Sequence, residues 1–375
     1  MTIITKFPRT QTKLWTLFLH VIVFSARVTC FQLSMASTRP VFRETRVFTE
    51  LKTIGTPNKL DDTTLLGGQT VSCLGVGAWA WGDKLFWGYD DSMNQELEEV
   101  YNSCLDLGIN LFDTAEVYGF GKSEYLCGKF KRKSGKDAVI ASKFAPLPFR
   151  LGKNSVVNAC KASLERMGLD SMELYQLHWP AIFQDKAYWD GLAECYEQGL
   201  VKSVGVSNYG AKAVKKVHKH LADRGVPLAS NQIQYSLLSR GPEYNGIMKT
   251  CKELDVKILA YSPLAQGLLT GKYSDGKNLP TGPRRRIFKQ LVPRAQPIVD
   301  KLKEIGEARD KTPAQVALNW CICQGTIPIP GAKNVKQATE NAEALGWRLS
   351  EDELVALKIA STSCKIQLPT PLQNA

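Results

Sequence analysis

The chain has 375 residues, 44% hydrophobic and 22% charged, which is ample for a large core and unlike a disordered or collagenous composition. Net charge is +12, but residues 1–43 hold six Lys or Arg and no Asp or Glu, so half the excess belongs to the head of the chain. The rest is modest and no nucleic-acid signature accompanies it. The ten cysteines form neither a disulfide framework nor a zinc spacing, and with only four histidines no metal centre is expected.

At the head, Lys6, Arg9 and Lys13 precede an apolar run over 14–26, the pattern of a signal peptide and too short to span a bilayer. A hydroxylated, basic stretch follows, with Phe31 near its start and no acid before Glu44, as in a transit peptide. The two in series resemble the bipartite plastid presequences of algae with secondary plastids. Residues 1–47 are therefore expected to be a targeting presequence with a plastid address. A plain secretory signal and a mitochondrial presequence are the alternatives. No membrane association is expected of the mature form.

From residue 64 short apolar runs of strand length recur at 71–78, 110–112, 138–142, 174–177, 201–206, 228–233, 257–260 and 326–329. Helical periods lie between them. In 94–107, Leu97, Val100, Tyr101, Cys104 and Leu105 form one stripe; 154–167 repeats the scheme and stops at Gly168. Thr312-Pro313-Ala314-Gln315 reads as a capping box with proline at the first helical position. Eight strands alternating with helices imply parallel strands in an open doubly wound sheet or a closed barrel. Gly75-Val76-Gly77-Ala78-Trp79-Ala80 is a defective dinucleotide fingerprint and leads into a tryptophan-rich loop, so a single-domain (β/α)8 barrel over 64–360 is favoured, with 361–375 as a C-terminal tail.

The strand ends are polar. Asp113, Lys143, His178, Ser207, Gln232 and Tyr261 follow one another at steps of 30, 35, 29, 25 and 29 residues, one βα unit each, and should converge on one mouth. Singly, each has a structural explanation: a salt-bridge lysine, a hydrogen-bonded histidine, an aspartate capping the next helix. Six in register point instead to carbonyl reduction. A hydride acceptor needs a proton at its developing alkoxide, and a phenol supplies one if its pKa is brought down from about 10. A nearby ammonium does that, held charged by a buried carboxylate. Tyr118, Lys143 and Asp113 are those parts, and a neutral His178 would orient the carbonyl oxygen.

These residues stand in segments that resemble the aldo-keto reductases: Phe112-Asp113-Thr114-Ala115 with Tyr118-Gly119, Ala141-Ser142-Lys143-Phe144, Leu177-His178-Trp179, Val204-Gly205-Val206-Ser207-Asn208, Asn231-Gln232-Ile233-Gln234-Tyr235, Ala260-Tyr261-Ser262-Pro263-Leu264 and Ile327-Pro328-Ile329-Pro330-Gly331-Ala332-Lys333. The resemblance runs in order from about residue 64 to 360. It implies a catalytic tetrad of Asp113, Tyr118, Lys143 and His178, with NADPH/NADP as cofactor and a small carbonyl compound as substrate. It implies that Ser207, Asn208 and Gln232 hold the nicotinamide carboxamide and that Tyr261 lies beneath the ring. Ser262, Leu264, Gly267, Gly271 and Lys272 would surround the pyrophosphate. Gly331, Lys333, Gln337, Glu340 and Asn341 would take the adenosine end, with Lys333 on the 2′-phosphate.

The loop segments Gly77-Ala78-Trp79-Ala80-Trp81-Gly82, Phe86-Trp87-Gly88-Tyr89 and Pro280-Thr281-Gly282-Pro283-Arg284 are similar to plant plastid members of the family. That likeness implies reduction of a vitamin B6 aldehyde, pyridoxal to pyridoxine. Trp79, Trp81, Trp87 and Trp179 are expected either to line the mouth against a flat aldehyde or to pack the first loop onto the barrel rim. Arg284-Arg285-Arg286 falls in an expected excursion over 274–296, a solvated basic loop or an anion grip. Two other functions remain open: broad detoxification of reactive carbonyls, and a cofactor-sensing binding subunit with little turnover.

Overall fold

The computed structural model describes residues 62–364 and 366, apart from 85, 182–183, 275–278 and 281–283. The presequence expected over 1–47 lies outside the described residues, as does most of the C-terminal tail. Strands β1 (Thr63–Leu66) and β2 (Gln69–Ser72) form an antiparallel hairpin. Eight parallel strands follow in chain order around one sheet: β3 (Gly75–Gly77), β4 (Leu111–Asp113), β5 (Val139–Phe144), β6 (Leu174–Leu177), β7 (Val204–Ser207), β8 (Leu228–Gln234), β9 (Lys257–Tyr261) and β10 (Ile327–Pro328). The ends of this sheet meet: the Gly77 N–H donates to the Pro330 carbonyl at 2.9 Å. A Cβ at Gly77 would stand 2.8 Å from the Ile329 carbonyl oxygen, so the closure needs glycine. The sheet is the expected (β/α)8 barrel.

Helices α1 (Asn94–Asp106), α2 (Lys122–Ser134), α3 (Lys153–Met167), α4 (Asp185–Glu197) and α5 (Ala211–Ala222) each follow one barrel strand. After β8 come α6 (Gly241–Tyr244) and α7 (Ile247–Glu253); after β9, α8 (Arg284–Arg309) and α9 (Pro313–Cys323); after β10, α10 (Val335–Ala342) and α11 (Glu351–Ser363). The capping box at Thr312 is formed, with both of its hydrogen bonds to Gln315, and Gly168 ends α3 at φ +63°. No helix among the described residues is long and apolar enough to cross a membrane.

Three expectations change. The run 71–78 is two strands, because a bend at Cys73–Leu74 divides the hairpin from β3. The 274–296 excursion is helical from Arg284, so the arginine triplet opens α8 and does not sit in a loop. Pro293 and Pro297 inside that helix read as breakers. Yet Phe288, Val292, Ala295, Ile298, Val299, Leu302 and Ile305 are buried at helical spacing and tie α8 to the barrel. The last helix ends at Ser363, three residues into the expected tail.

Two apolar layers divide the core. Alternate strand residues Leu111, Val139, Ala141, Leu174, Leu259 and Ile327 fill the barrel interior, and Leu66 and Val71 of the hairpin join them as a plug. Their neighbours, among them Phe112, Ile140, Tyr175 and Val206, face the helices. Side chains alternate with period two along a strand, so interior positions recur every second residue. One step beyond the apolar interior layer stand Asp113, Lys143, Gln176 and Tyr261. Leu66 is 1% exposed in this cluster. Leu66→Ala is expected to lower stability by about 2–5 kcal/mol, seen as a fall in the urea midpoint. A shift under about 0.5 kcal/mol would show that the hairpin is not part of the core.

Candidate active site

The polar strand ends meet around one ion pair. The Lys143 ammonium donates to Asp113 Oδ2 at 2.5 Å, to the Thr114 carbonyl at 2.8 Å and to the Tyr118 hydroxyl oxygen at 3.3 Å. All three of its hydrogens therefore have acceptors. Lys143 is fully buried and Asp113 nearly so. The other carboxylate oxygen, Oδ1, accepts from Gln232 Nε2 at 2.7 Å and from Gln176 Nε2 at 3.4 Å, and Ser230 Oγ orients Gln176 by donating to its Oε1 at 3.2 Å. Burial alone would push Lys143 down, but Asp113 and Tyr118 hold its pKa above the ordinary lysine value.

Tyr118 follows β4 in a short turn in which Gly119 (φ +56°) comes against the loop after β3. A Cβ at Gly119 would lie 2.4 Å from the Gly82 carbonyl oxygen. The phenol's pKa is raised: burial outweighs the lowering effect of Lys143. The expectation of a lowered pKa is corrected for the protein without ligand, because a phenolate loses more solvation here than one ammonium returns. Lys143 is the donor in the bond to Tyr118, so the phenol's own hydrogen is not used in it. The His178 ring stands edge-on to Tyr118 at 5.7 Å. Burial and the Lys143 charge hold its pKa well below the ordinary imidazole value, and its Nδ1 is buried without a hydrogen-bond partner.

The next set is joined to the first. Ser207 Oγ donates to the Gln232 carbonyl at 2.9 Å; Asn208 Nδ2 donates to the His178 carbonyl and to Ser207 Oγ, each at 3.1 Å; Tyr261 OH donates to Asn208 Oδ1 at 2.9 Å. Beyond β9 the chain winds left-handed at Ser262, Ala265, Gln266, Gly267 and Gly271, with Leu264 half-buried among them and Lys272 exposed. At the start of α10, Gln337 Oε1 accepts from the Lys333 N–H at 2.9 Å, Asn341 Nδ2 reaches the Gly331 carbonyl at 3.4 Å, and Glu340 is half-buried. Lys333 Nζ lies 5.7 Å from the Trp87 ring centroid.

Three of the four tryptophans reach the mouth. Trp79 lies 6.1 Å from the Tyr118 ring, Trp87 5.5 Å from Trp79, and Trp179 4.8 Å from His178. Trp81 does not. It is fully buried against Phe112 and Phe130, and its indole N–H donates to the Ala332 carbonyl at 2.8 Å. Its role as a mouth residue is corrected: alternate placement along this loop turns it into the core.

Sequence reasoning missed Gln176, Ser230 and a loop clamp in which Glu116 accepts from Arg150 and from the Ala145 N–H at 2.6 Å. Gln176 had a signal, since it precedes His178 by two and so shares its face of β6. Glu116 and Arg150 had none, being loop residues 34 apart.

A closed parallel barrel with its charged cluster at the carboxyl ends of the strands keeps its site where enzymes of this fold keep theirs. The Aldo/keto reductase family model matches residues 73–361, and the chain belongs to that family. It is 49% identical over 310 residues to the chloroplastic pyridoxal reductase of Arabidopsis thaliana, covering 79% of this chain and 85% of that protein. It is 30% identical over 292 residues to a methylglyoxal reductase of Escherichia coli, covering 78% and 91%. Among solved structures, it matches an aldo-keto reductase from Klebsiella pneumoniae in complex with NADPH, at TM-score 0.65 and 29% identity over 80% of this chain and 94% of that one.

Removing one partner of a buried pair leaves the other charge uncompensated. Lys143→Met is expected to cost about 3–5 kcal/mol of stability. The double variant with Asp113→Asn should cost clearly less than the two singles together, as read from denaturation midpoints. Additive costs would mean that the two charges do not depend on each other.

Proposed function

We propose that this protein reduces an aldehyde to an alcohol with NADPH, that Tyr118 is the general acid, and that pyridoxal, giving pyridoxine, is its substrate. The observation that carries this is the chain Asp113–Lys143–Tyr118, with contacts of 2.5 and 3.3 Å, beside a neutral His178. Raised by burial, Tyr118 keeps its proton at neutral pH and has one to give. As it gives that proton, the phenolate forming there is stabilised by the Lys143 ammonium, which Asp113 keeps charged. An uncharged His178 donates a hydrogen bond to the carbonyl oxygen and polarises it without offering a competing acidic proton. When bound, NADPH supplies the hydride to the carbonyl carbon. The carbonyl π pair becomes the alkoxide, which takes the Tyr118 proton, and solvent reprotonates the tyrosine.

The residues present fit that cofactor. Gln232 commits its Nε2 to Asp113, which leaves Oε1 as the acceptor for a carboxamide N–H. The left-handed winding over 262–271 is the kind of backbone whose N–H groups converge on an anion, and Lys272 follows it. Exposed Lys333 supplies a cation for the 2′-phosphate. The choice of pyridoxal is supported by the Arabidopsis relative and by the aromatic mouth. That relative's chloroplastic name also accords with a plastid address in residues 1–47.

Tyr118→Phe is expected to lower kcat for pyridoxal by about 10²–10⁴-fold while NADPH affinity stays within a few-fold. Retained turnover would remove the acid assignment. The acid form is the active one and its pKa is raised, so kcat should stay level from about pH 6 to 9 and fall only above the ordinary tyrosine range. A fall centred between pH 7 and 8 would contradict this. Lys333→Ala should weaken NADPH much more than NADH, with equal weakening counting against the phosphate contact. A wild type that reduces unrelated aldehydes equally well would favour broad detoxification of reactive carbonyls.

A further inference from the structure

The loop after β3 is organised around one carboxylate. Asp83 Oδ2 accepts from the Trp79 indole N–H at 3.1 Å, Asp83 Oδ1 accepts from the Phe86 backbone N–H at 2.8 Å, and the Asp83 carbonyl accepts from the Tyr89 N–H at 3.0 Å. Gly82, at φ +96°, turns the chain so that Asp83 meets the indole four residues back. The two aromatic residues held by the carboxylate stack on each other, with ring centroids 5.2 Å apart and planes within 12°. Trp87 stands edge-on to both, at 5.5 and 5.1 Å.

This stack is at the mouth. Trp79 lies 6.1 Å from Tyr118, and it and Phe86 remain 38% and 43% exposed. The bond to Asp83 fixes the Trp79 indole directly, and the bond from the Phe86 N–H fixes the backbone that presents the second ring. The bond to Asp83 also decides what Trp79 offers. Its only donor is spent, so a substrate meets hydrocarbon and π surface there, and no hydrogen bond. A planar ring gains stacking from such a surface. A small aliphatic carbonyl has no ring to stack there.

We propose that Asp83 is a positioning residue for substrate selection: it holds the Trp79–Phe86 stack beside Tyr118 so that planar aromatic and heteroaromatic aldehydes are taken in preference to small aliphatic ones. The inference rests on the reading of Tyr118 as the acid at which the carbonyl sits. It assigns the preference to a residue that touches neither cofactor nor reacting atoms.

The test compares wild type, Asp83→Ala and Asp83→Asn with pyridine-4-carbaldehyde and propanal under NADPH. Binding of 4-pyridinemethanol is followed by calorimetry in parallel and needs no turnover. Asp83→Ala should raise KM for the pyridine aldehyde about tenfold, the scale of one lost hydrogen bond plus a loosened stack, with kcat little changed. KM for propanal should move by less than about twofold, and 4-pyridinemethanol should bind about tenfold more weakly. Asp83→Asn keeps an acceptor oxygen and should recover part of the loss. Equal changes for both aldehydes, or unchanged binding of 4-pyridinemethanol, would overturn the proposal. A wild type that reduces neither aldehyde would remove the reductase reading on which the proposal rests, whereas unchanged binding of 4-pyridinemethanol with both aldehydes still reduced would remove this proposal alone.

Discussion

The buried pair of Lys143 and Asp113 is the constraint around which the mouth of the barrel is arranged. Two charges at almost no exposure are unfavourable unless every hydrogen and lone pair is engaged. Here the ammonium has a carboxylate, a carbonyl and a phenol oxygen, and the carboxylate has the ammonium and two carboxamides. Those partners come from β4, the turn after it, β5, β6 and β8. Only a closed parallel barrel brings the ends of that many strands to one point, and its short strands leave little freedom to adjust. The pair thereby fixes where the phenol stands and which atom of Gln232 is left to face the mouth.

Rigid strand ends and variable loops divide the work. The charged pair lies on β4 and β5 with its hydrogen bonds running across the barrel, and Tyr118 stands in the turn directly after β4. The aromatic surface lies on the loop after β3. That loop is bound by one carboxylate, by the Trp81 indole on Ala332 and by the glycine contact between residues 82 and 119. On the proposed reading, the chemistry at the strand ends stays constant while the loop selects the substrate. The relatives fit this division, since proteins named for pyridoxal and for methylglyoxal share the family.

Much of the fold was legible because six consecutive strands, β4 to β9, each run into a polar residue at the mouth. The alternation of strands and helices with a defective dinucleotide fingerprint favoured the barrel, and the near-even spacing then turned six ambiguous residues into a single pattern at its mouth. What was hidden has physical reasons. Gln176 sat one interior step before a more conspicuous histidine. Helix α8 carried a full apolar stripe but also two prolines, whose local preference argues against a helix interior until the packing of Phe288 through Ile305 is counted. Trp81 looked like its neighbours in composition, but the turn at residues 78–80 sends it inward. The direction of the Tyr118 shift was beyond any sequence pattern, because it depends on how much solvent the phenol loses.

The most direct test of this account is the titration of Tyr118 itself, followed by NMR of protein labelled with ¹³C at the tyrosine ring carbon that bears the hydroxyl. Burial is predicted to leave Tyr118 as a phenol at pH 10 despite the ammonium beside it, and Lys143→Met should move its ionisation further up, since the ammonium is what favours phenolate. Ionisation of Tyr118 below about pH 9 would contradict the dominance of burial over the ammonium, and no response to the loss of Lys143 would contradict the central place given to the pair.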